Sequence, residues 1–291
     1  MIKLFIKDIL TTLLIGSAIA VVALPFVKPL ATNEYTYKRN YVENHTADIA
    51  VLLVGHSQFV SGVNPAVFDS AFNMAISARI SHYDAQLLQR YVPQMPNLKA
   101  VIFPLLCEYE AGAIFCNDEA RYEKIFQYKS FLDIDPPQEL KGLLRSIKYM
   151  HTYLEHMLSF QALHAYENWD SLGFISLGNA YSERRNVTTA PGCEPMVKAS
   201  LLRMAKVCGE HGVRLIVVTC PCNSTYRADH GDCDSRLQRL MDEVAAEWPT
   251  VEYRCYLNDD RFPDTLFSDQ THLNRPGATA FALRLKEDFG L

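Results

Sequence analysis

The chain has 291 residues, 49% hydrophobic and 21% charged, with a formal net charge of -5 and a pI near 6.0. Such a length and composition describe a globular protein with a sizeable core, and fit one α/β domain of about 240 residues, with or without an inserted cap, better than several small modules. The absence of a basic footprint excludes nucleic acid as an expected partner, and no internal repeat or low-complexity tract is visible.

The first element is apolar. Lys3 and Lys7 precede an uncharged run over 9–27, closed by Lys28. That run approaches the ~20 apolar residues that span a bilayer as a helix. Its hydrophobicity lies all round rather than along one stripe, unlike a helix that packs on a core. Residues 1–30 are therefore predicted to be a signal anchor or transmembrane helix. Ser17-Ala18-Ile19-Ala20 contains a small-x-small pattern that suits a cleaved signal as the alternative, but the apolar run continues through Val21 to Phe26, which favours an uncleaved anchor. The lysines before the span place the main domain, 31–291, outside the cytoplasm, periplasmic or at the cell surface, with Lys28 reducing the asymmetry.

Five short apolar runs follow, at 48–55, 71–77, 98–106, 213–220 and 251–257. They have the near-continuous hydrophobicity of strands buried on both faces of a parallel sheet. Helical patterns at 83–91, 194–210 and 235–248 lie between them, and a last helix is punctuated by Asn274 as N-cap, Pro276 in its first turn and Gly290 as its stop. The alternation predicts an α/β, flavodoxin-like three-layer sandwich with a mostly parallel five-stranded sheet. Residues 107–192, between the third and fourth strands, far exceed a crossover connection. They hold a helical stretch at 137–158 and a polar, turn-rich tail at 178–193. An inserted helical cap at the carboxyl end of the third strand is expected there, as a candidate substrate-binding subdomain.

Eight cysteines stand at 107, 116, 193, 208, 220, 222, 233 and 255. An even number in an exported chain permits disulfides of unspecified connectivity; Cys222 and Cys233 bracket one loop, Cys107 and Cys116 another, and one or two bridges are expected. The remaining cysteines read as small buried residues. A zinc set of Cys220, Cys222 and Cys233 with His211 and His230 matches none of the usual C-x2-C pairs, so no metal and no cofactor are expected. No G-x-G-x-x-G or P-loop follows the first strand, against a nucleotide binder.

Gly55-His56-Ser57 ends the first strand, where ligands bind in open α/β sheets. A serine there suits a nucleophile or a helix cap. As a nucleophile it needs a base and a group to orient that base. The stretch 267–278 carries Asp269 and His272 three residues apart on one loop, a spacing that lets the carboxylate reach Nδ1 while Nε2 faces the crevice. Ser57, His272 and Asp269 are thus the candidate catalytic set. His56 and His82 are candidates to line the crevice, though loop histidines are often incidental. Tyr226 and Arg227 follow the fourth strand and are candidate substrate contacts, with a solvated loop as the plainer reading. Arg184 and Arg185 read as surface charges, and the sequons at Asn44, Asn186 and Asn223 matter only in a eukaryotic secretory pathway.

Gly-x-Ser after the first strand, paired with Asp-x-x-His before the last helix, resembles the SGNH (GDSL-like) serine hydrolase superfamily. Ser57 matches its first block, and Asp269 and His272 its last. Residues 73–78, Asn-Met-Ala-Ile-Ser-Ala, are similar to its second block with both glycines replaced by alanine. The resemblance implies an oxyanion hole from the backbone N–H groups of Ser57 and Ala78, with Asn73 as a candidate substrate contact. Two departures stand out. His56 replaces the usual Asp before the serine, and the third block's Gly-x-Asn-Asp is missing from the third strand, which reads VIFPLLCEYE. Losing one oxyanion donor costs about 2.7–4 kcal/mol in a comparable hole; Asn117 is a candidate stand-in. With an anchor, these departures look more like teichoic-acid D-alanine transfer and polysaccharide O-acetylation proteins than free lipases. The implied activity is an extracytoplasmic serine acyl esterase or O-acyltransferase. Its implied partners are an acylated carbohydrate or other ester, the membrane through the N-terminal helix, and an envelope-assembly protein. The alternative is a degenerate SGNH fold that binds a glycan or partner without catalysis.

Overall fold

The computed structural model describes residues 2–27, 33–107, 118–151, 169–182, 194–230 and 233–291. In chain order its elements are α1 (Ile2–Val27), α2 (Glu34–Asn44), β1 (Val51–Leu53), α3 (Ser57–Val60), β2 (Ala71–Asn73), α4 (Ser81–Tyr91), β3 (Ala100–Pro104), α5 (Asp118–Leu132), α6 (Glu194–Glu210), β4 (Arg214–Thr219), α7 (Ser224–Asp229), α8 (Cys233–Glu247), β5 (Val251–Cys255) and α9 (Arg275–Phe289).

The strands form one sheet in the order β2-β1-β3-β4-β5, and every pairing is parallel. Successive strand residues face opposite sides, so the apolar runs fill two cores. Leu52, Val54, Phe72, Val101, Phe103, Leu215 and Val217 pack under α2, α4, α5, α6 and α8. Val51, Leu53, Ala71, Ala100, Ile102, Ile216 and Val218 pack with α3 and α9. The result is the expected three-layer sandwich. The ladders are shorter than the apolar runs because flanking residues such as Val54 and Met74 stay buried while the chain already turns out of the sheet.

The helices α4, α6, α8 and α9 lie within two residues of the sequence patterns. Asn274 caps α9 by accepting from the Gly277 N–H at 3.0 Å, and Gly290 ends it at φ 62. The helix α2 was not expected, since EYTYKRNYVEN has little aliphatic periodicity. A capping box between Asn33 and Thr36 starts it, and it buries Tyr35, Lys38 and Val42.

Within the long insertion, α5 packs on α2 and α4: Tyr128 stacks on Tyr83 at 3.9 Å and meets Tyr35 edge-on at 5.6 Å. Over the described part of the helix expected at 137–158 the chain is instead a 3-10 segment, Gln138–Arg145, followed by a helical turn from 147, and residues 152–158 lie outside the described residues. Pro136 and Pro137 hold its approach extended and Gly142 weakens its middle. Residues 169–182 run as a strap across the domain. The Asn73 N–H donates to Leu172 O, the Ile175 N–H to Val60 O, the Arg275 N–H to Leu177 O and the Ser182 N–H to Ser268 O. The rest of the expected cap, with Asn117, Arg184, Arg185, Asn186, Cys116 and Cys193, lies outside the described residues.

The disulfide joins Cys107 to Cys233 across 126 residues, with Cα atoms 5.5 Å apart. It corrects both sequence-bracketed pairs, because β3 and β4 are neighbours and the chain after β4 brings the start of α8 to the end of β3. Among the described residues Cys208, Cys220 and Cys255 are free thiols.

On α1, the side chains of Ile2, Leu4, Phe5, Leu10, Leu14, Ile19 and Val22 are exposed. Among the described residues no helix is long and apolar enough to cross a membrane.

Candidate active site

The site begins at the exit of β1. Gly55 has φ +116, and a Cβ there would meet Pro104 Cδ at 2.4 Å, so only glycine fits this turn. His56 follows in extended conformation and caps α3, its Nδ1 accepting from the Gln58 N–H at 3.4 Å. Ser57 is therefore the first residue of α3 rather than its cap, and its side chain is left for other work. Burial above all, then the neighbouring His272 ring, pulls the His56 pKa down to about 3 against the raising effect of the Pro104 carbonyl. His56 is thus a neutral, buried capping group, where a residue lining the crevice was expected.

The base arrives on the loop before α9. Phe267 and Leu273 form an antiparallel bridge that closes this loop, and Ser268 N–H donates to His272 O at 2.8 Å. Asp269 Oδ1 accepts from the backbone N–H groups of Thr271 at 2.9 Å and His272 at 2.8 Å, and both its oxygens lie 2.9 Å from His272 Nδ1. Nδ1 therefore carries the proton, and Nε2 accepts from Ser57 Oγ at 2.8 Å. Gln58, unmarked in the sequence, ties the two halves together: its Nε2 donates to Thr271 O at 3.2 Å.

Burial raises the Asp269 pKa, but the His272 imidazole and the N–H groups of Thr271 and His272 outweigh it and hold the carboxyl at about 2, below its ordinary 3.8. A depressed carboxyl stabilises the fold above its unfolded pKa, and that contribution is lost as pH falls through the folded value. The stability difference between wild type and Asp269→Asn is therefore expected to be constant above about pH 4 and to shrink toward pH 2. Urea unfolding midpoints of both proteins across that window check this; parallel curves would refute it.

The loop after β2 lies alongside. Met74 N–H donates to Leu53 O and Ile76 N–H to Gly55 O, which fixes residues 74–79 beside the serine turn. Asn73 is fully buried; its Nδ2 donates to Phe59 O at 2.7 Å and its Oδ1 accepts from Ala75 N–H at 3.0 Å. Its amide thus braces α3 against the loop, which corrects its expected substrate contact. Ala78 has φ +55, and among the described residues its N–H has no hydrogen-bond partner. A non-glycine residue in this region carries strain, and such strain clusters at functional sites.

Buried groups the sequence did not mark hold this arrangement. Asp84 Oδ1, from α4, accepts from both Gly55 N–H at 3.1 Å and Arg79 Nη1 at 2.8 Å, and neither side chain has any exposure. Lys38 donates to Ala75 O and Lys124 to Ser77 O, the latter at 3.3 Å. Only tertiary packing brings these residues to the loop, so no local pattern could have signalled them.

The start of α7 is tied to the base-bearing loop, the Asn223 N–H donating to Gln270 O at 3.0 Å. Tyr226 is buried in the core and stacks on His230 at 4.0 Å, and Arg227 pairs with Asp260 at 3.5 Å. His82 bonds Gln86 at 2.7 Å and Arg203 at 3.2 Å between α4 and α6. Among the described residues no group of three or more His, Cys, Asp or Glu is placed to hold a metal ion.

No protein-family model matches the chain, and no curated protein matches it. Among solved structures it is similar to a GDSL-like lipase from Bacteroides thetaiotaomicron at TM-score 0.43 and 10% identity, over 89% of this chain and 98% of that one. It is also similar to a protein described as an acylhydrolase from Bacteroides fragilis, at TM-score 0.45 and 9% identity over 87% of this chain and 95% of that one. A third similar structure is an alpha/beta hydrolase from the metagenome of Lake Arreo, Spain, at TM-score 0.41 and 12% identity over 84% and 96%.

Proposed function

We propose that the protein is a serine acyl esterase or O-acyltransferase of the SGNH type. The observation that carries the proposal is the continuous hydrogen-bonded chain from Ser57 Oγ through His272 to Asp269 at the carboxyl end of β1. In this reading Ser57 Oγ attacks an ester carbonyl while His272 Nε2 takes its proton, and Asp269 stabilises the imidazolium. The Ser57 and Ala78 N–H groups receive the oxyanion. Collapse of the tetrahedral intermediate breaks the ester bond, His272 returns the proton to the leaving alcohol, and an acyl-Ser57 ester remains. Water then yields an acid, or a sugar hydroxyl yields a new ester, with His272 as base again. Labelling by a fluorophosphonate, blocked by Ser57→Ala, is the direct test; an unlabelled wild type would refute it.

The substrate in this proposal is an acylated envelope glycan, with α1 as the membrane anchor and an envelope-assembly protein as a further partner. The apolar side chains exposed along α1 support the anchor. Protease added to intact spheroplasts is expected to remove the 31–291 domain, and full protection would exclude that topology. The second reading, a non-catalytic glycan- or partner-binding protein, is favoured by the missing third-block asparagine in VIFPLLCEYE. Ester turnover that survives Ser57→Ala unchanged, with saturable glycan binding, would select it.

A further inference from the structure

Two lysines from different helices converge on the loop 74–79. Lys38, on α2, is fully buried, pairs with Glu34 at 2.7 Å and donates to the Ala75 carbonyl. Lys124, on α5, donates to the Ser77 carbonyl at 3.3 Å and to Tyr35 Oη at 3.4 Å. Tyr35 Oη in turn donates to Gln127 Oε1 at 2.6 Å, one turn further along α5. The insertion thus aims a cation at this loop from behind.

The choice of carbonyl matters. Ser77 C=O belongs to the same peptide unit as Ala78 N–H. A cation on the carbonyl oxygen withdraws electron density through the amide and enlarges the positive end of its dipole at the N–H. Oxyanion stabilisation depends on preorganised dipoles aimed at developing charge, in a site where they need no reorganisation. The same cation holds the peptide plane that Ala78 maintains at φ +55. Lys38 acts two peptides earlier, on the unit whose Ile76 N–H bonds Gly55 O and thereby sets the loop's distance from the serine turn.

We propose that Lys124 is a positioning residue that polarises and fixes the Ser77–Ala78 peptide, and so offsets the asparagine donor missing after β3. This rests on the serine-esterase reading, since Lys124 touches no reacting atom.

The experiment compares Lys124→Gln, which can keep a donor without charge, with Lys124→Arg, which keeps both. A short-chain aryl ester and a fluorophosphonate probe serve as substrates, with melting temperature and near-ultraviolet circular dichroism verifying folding. Removing an oxyanion donor outright costs about 10²–10³ in kcat, so Lys124→Gln is expected to lower kcat and the labelling rate by on the order of tenfold, with KM within about twofold. Lys124→Arg is expected to retain most of both. Lys124→Met, which keeps the apolar stem, replaces the glutamine variant if that variant does not fold. Wild-type kcat and labelling in a folded uncharged variant would overturn the proposal, as would equal losses in the uncharged and arginine variants. Failure of the underlying reading looks different: Ser57→Ala would then turn over ester as fast as wild type.

Discussion

Replacing Ser57 with alanine is expected to lower ester turnover about 10⁴-fold or more, with residual activity left to the oxyanion donors and binding. The size follows from the geometry. Ser57 Oγ lies 2.8 Å from His272 Nε2, and the imidazole is locked by two contacts of 2.9 Å to Asp269, so the proposed nucleophile, base and orienting acid form one hydrogen-bonded unit. Residues that act as a unit are not additive, so Ser57→Ala, His272→Ala and the double variant are expected to fall to similar residual rates. His56 is neutral and caps α3, and it is not placed to take over as base. Single-turnover hydrolysis of an aryl ester measures the effect. Turnover within about tenfold of wild type in folded Ser57→Ala would dismiss the triad, since triad removal costs far more.

The second large effect concerns stability. Asp84→Asn is expected to destabilise the fold by about 3–5 kcal/mol, the usual result of leaving one member of a buried ion pair alone. The asparagine oxygen can still accept from Gly55 N–H, but Arg79 would keep a full charge with no exposure and no counter-charge in contact. Beyond Asp84 the guanidinium leans on a neutral neighbour, Tyr128, whose ring lies 5.9 Å away. For a domain of this size the loss corresponds to a fall in Tm on the order of 10 °C. The paired change Arg79→Met with Asp84→Leu removes both charges and is expected to recover much of the stability. A Tm within about 1 °C of wild type for Asp84→Asn would show that the pair contributes little to the fold. Because Asp84 grips Gly55 while Arg79 directly follows Ala78, the paired variant is still expected to lose turnover.

The sheet was legible because its strands are buried on both faces, so each apolar run announced itself without needing a partner. The end of α9 was equally plain, since Asn274 and Gly290 act through local backbone geometry. Ser57, Asp269 and His272 were readable as paired motifs at strand ends, and the structure brings all three into contact. Asn73, Tyr226 and Arg227 were assigned by position along the chain, but each side chain is committed elsewhere: Asn73 to Phe59 and Ala75, Tyr226 to His230, Arg227 to Asp260. Arg79, Asp84, Lys38 and Lys124 were invisible for the converse reason. Their importance comes from burial and from carbonyls far away in sequence. The 126-residue reach of the disulfide escaped for the same cause.

That disulfide also bears on how the molecule tolerates change. Cys107 is the last described residue before the long excursion out of β3, and its bond to Cys233 clamps the point of departure to the sheet. Insertion into the excursion outside α5, whose Tyr128 packs on Tyr83 and Tyr35, costs little closure entropy, about 0.6 kcal/mol for each doubling of a flexible loop. The bridge thus lets that loop change length without moving the point at which the chain leaves the sheet.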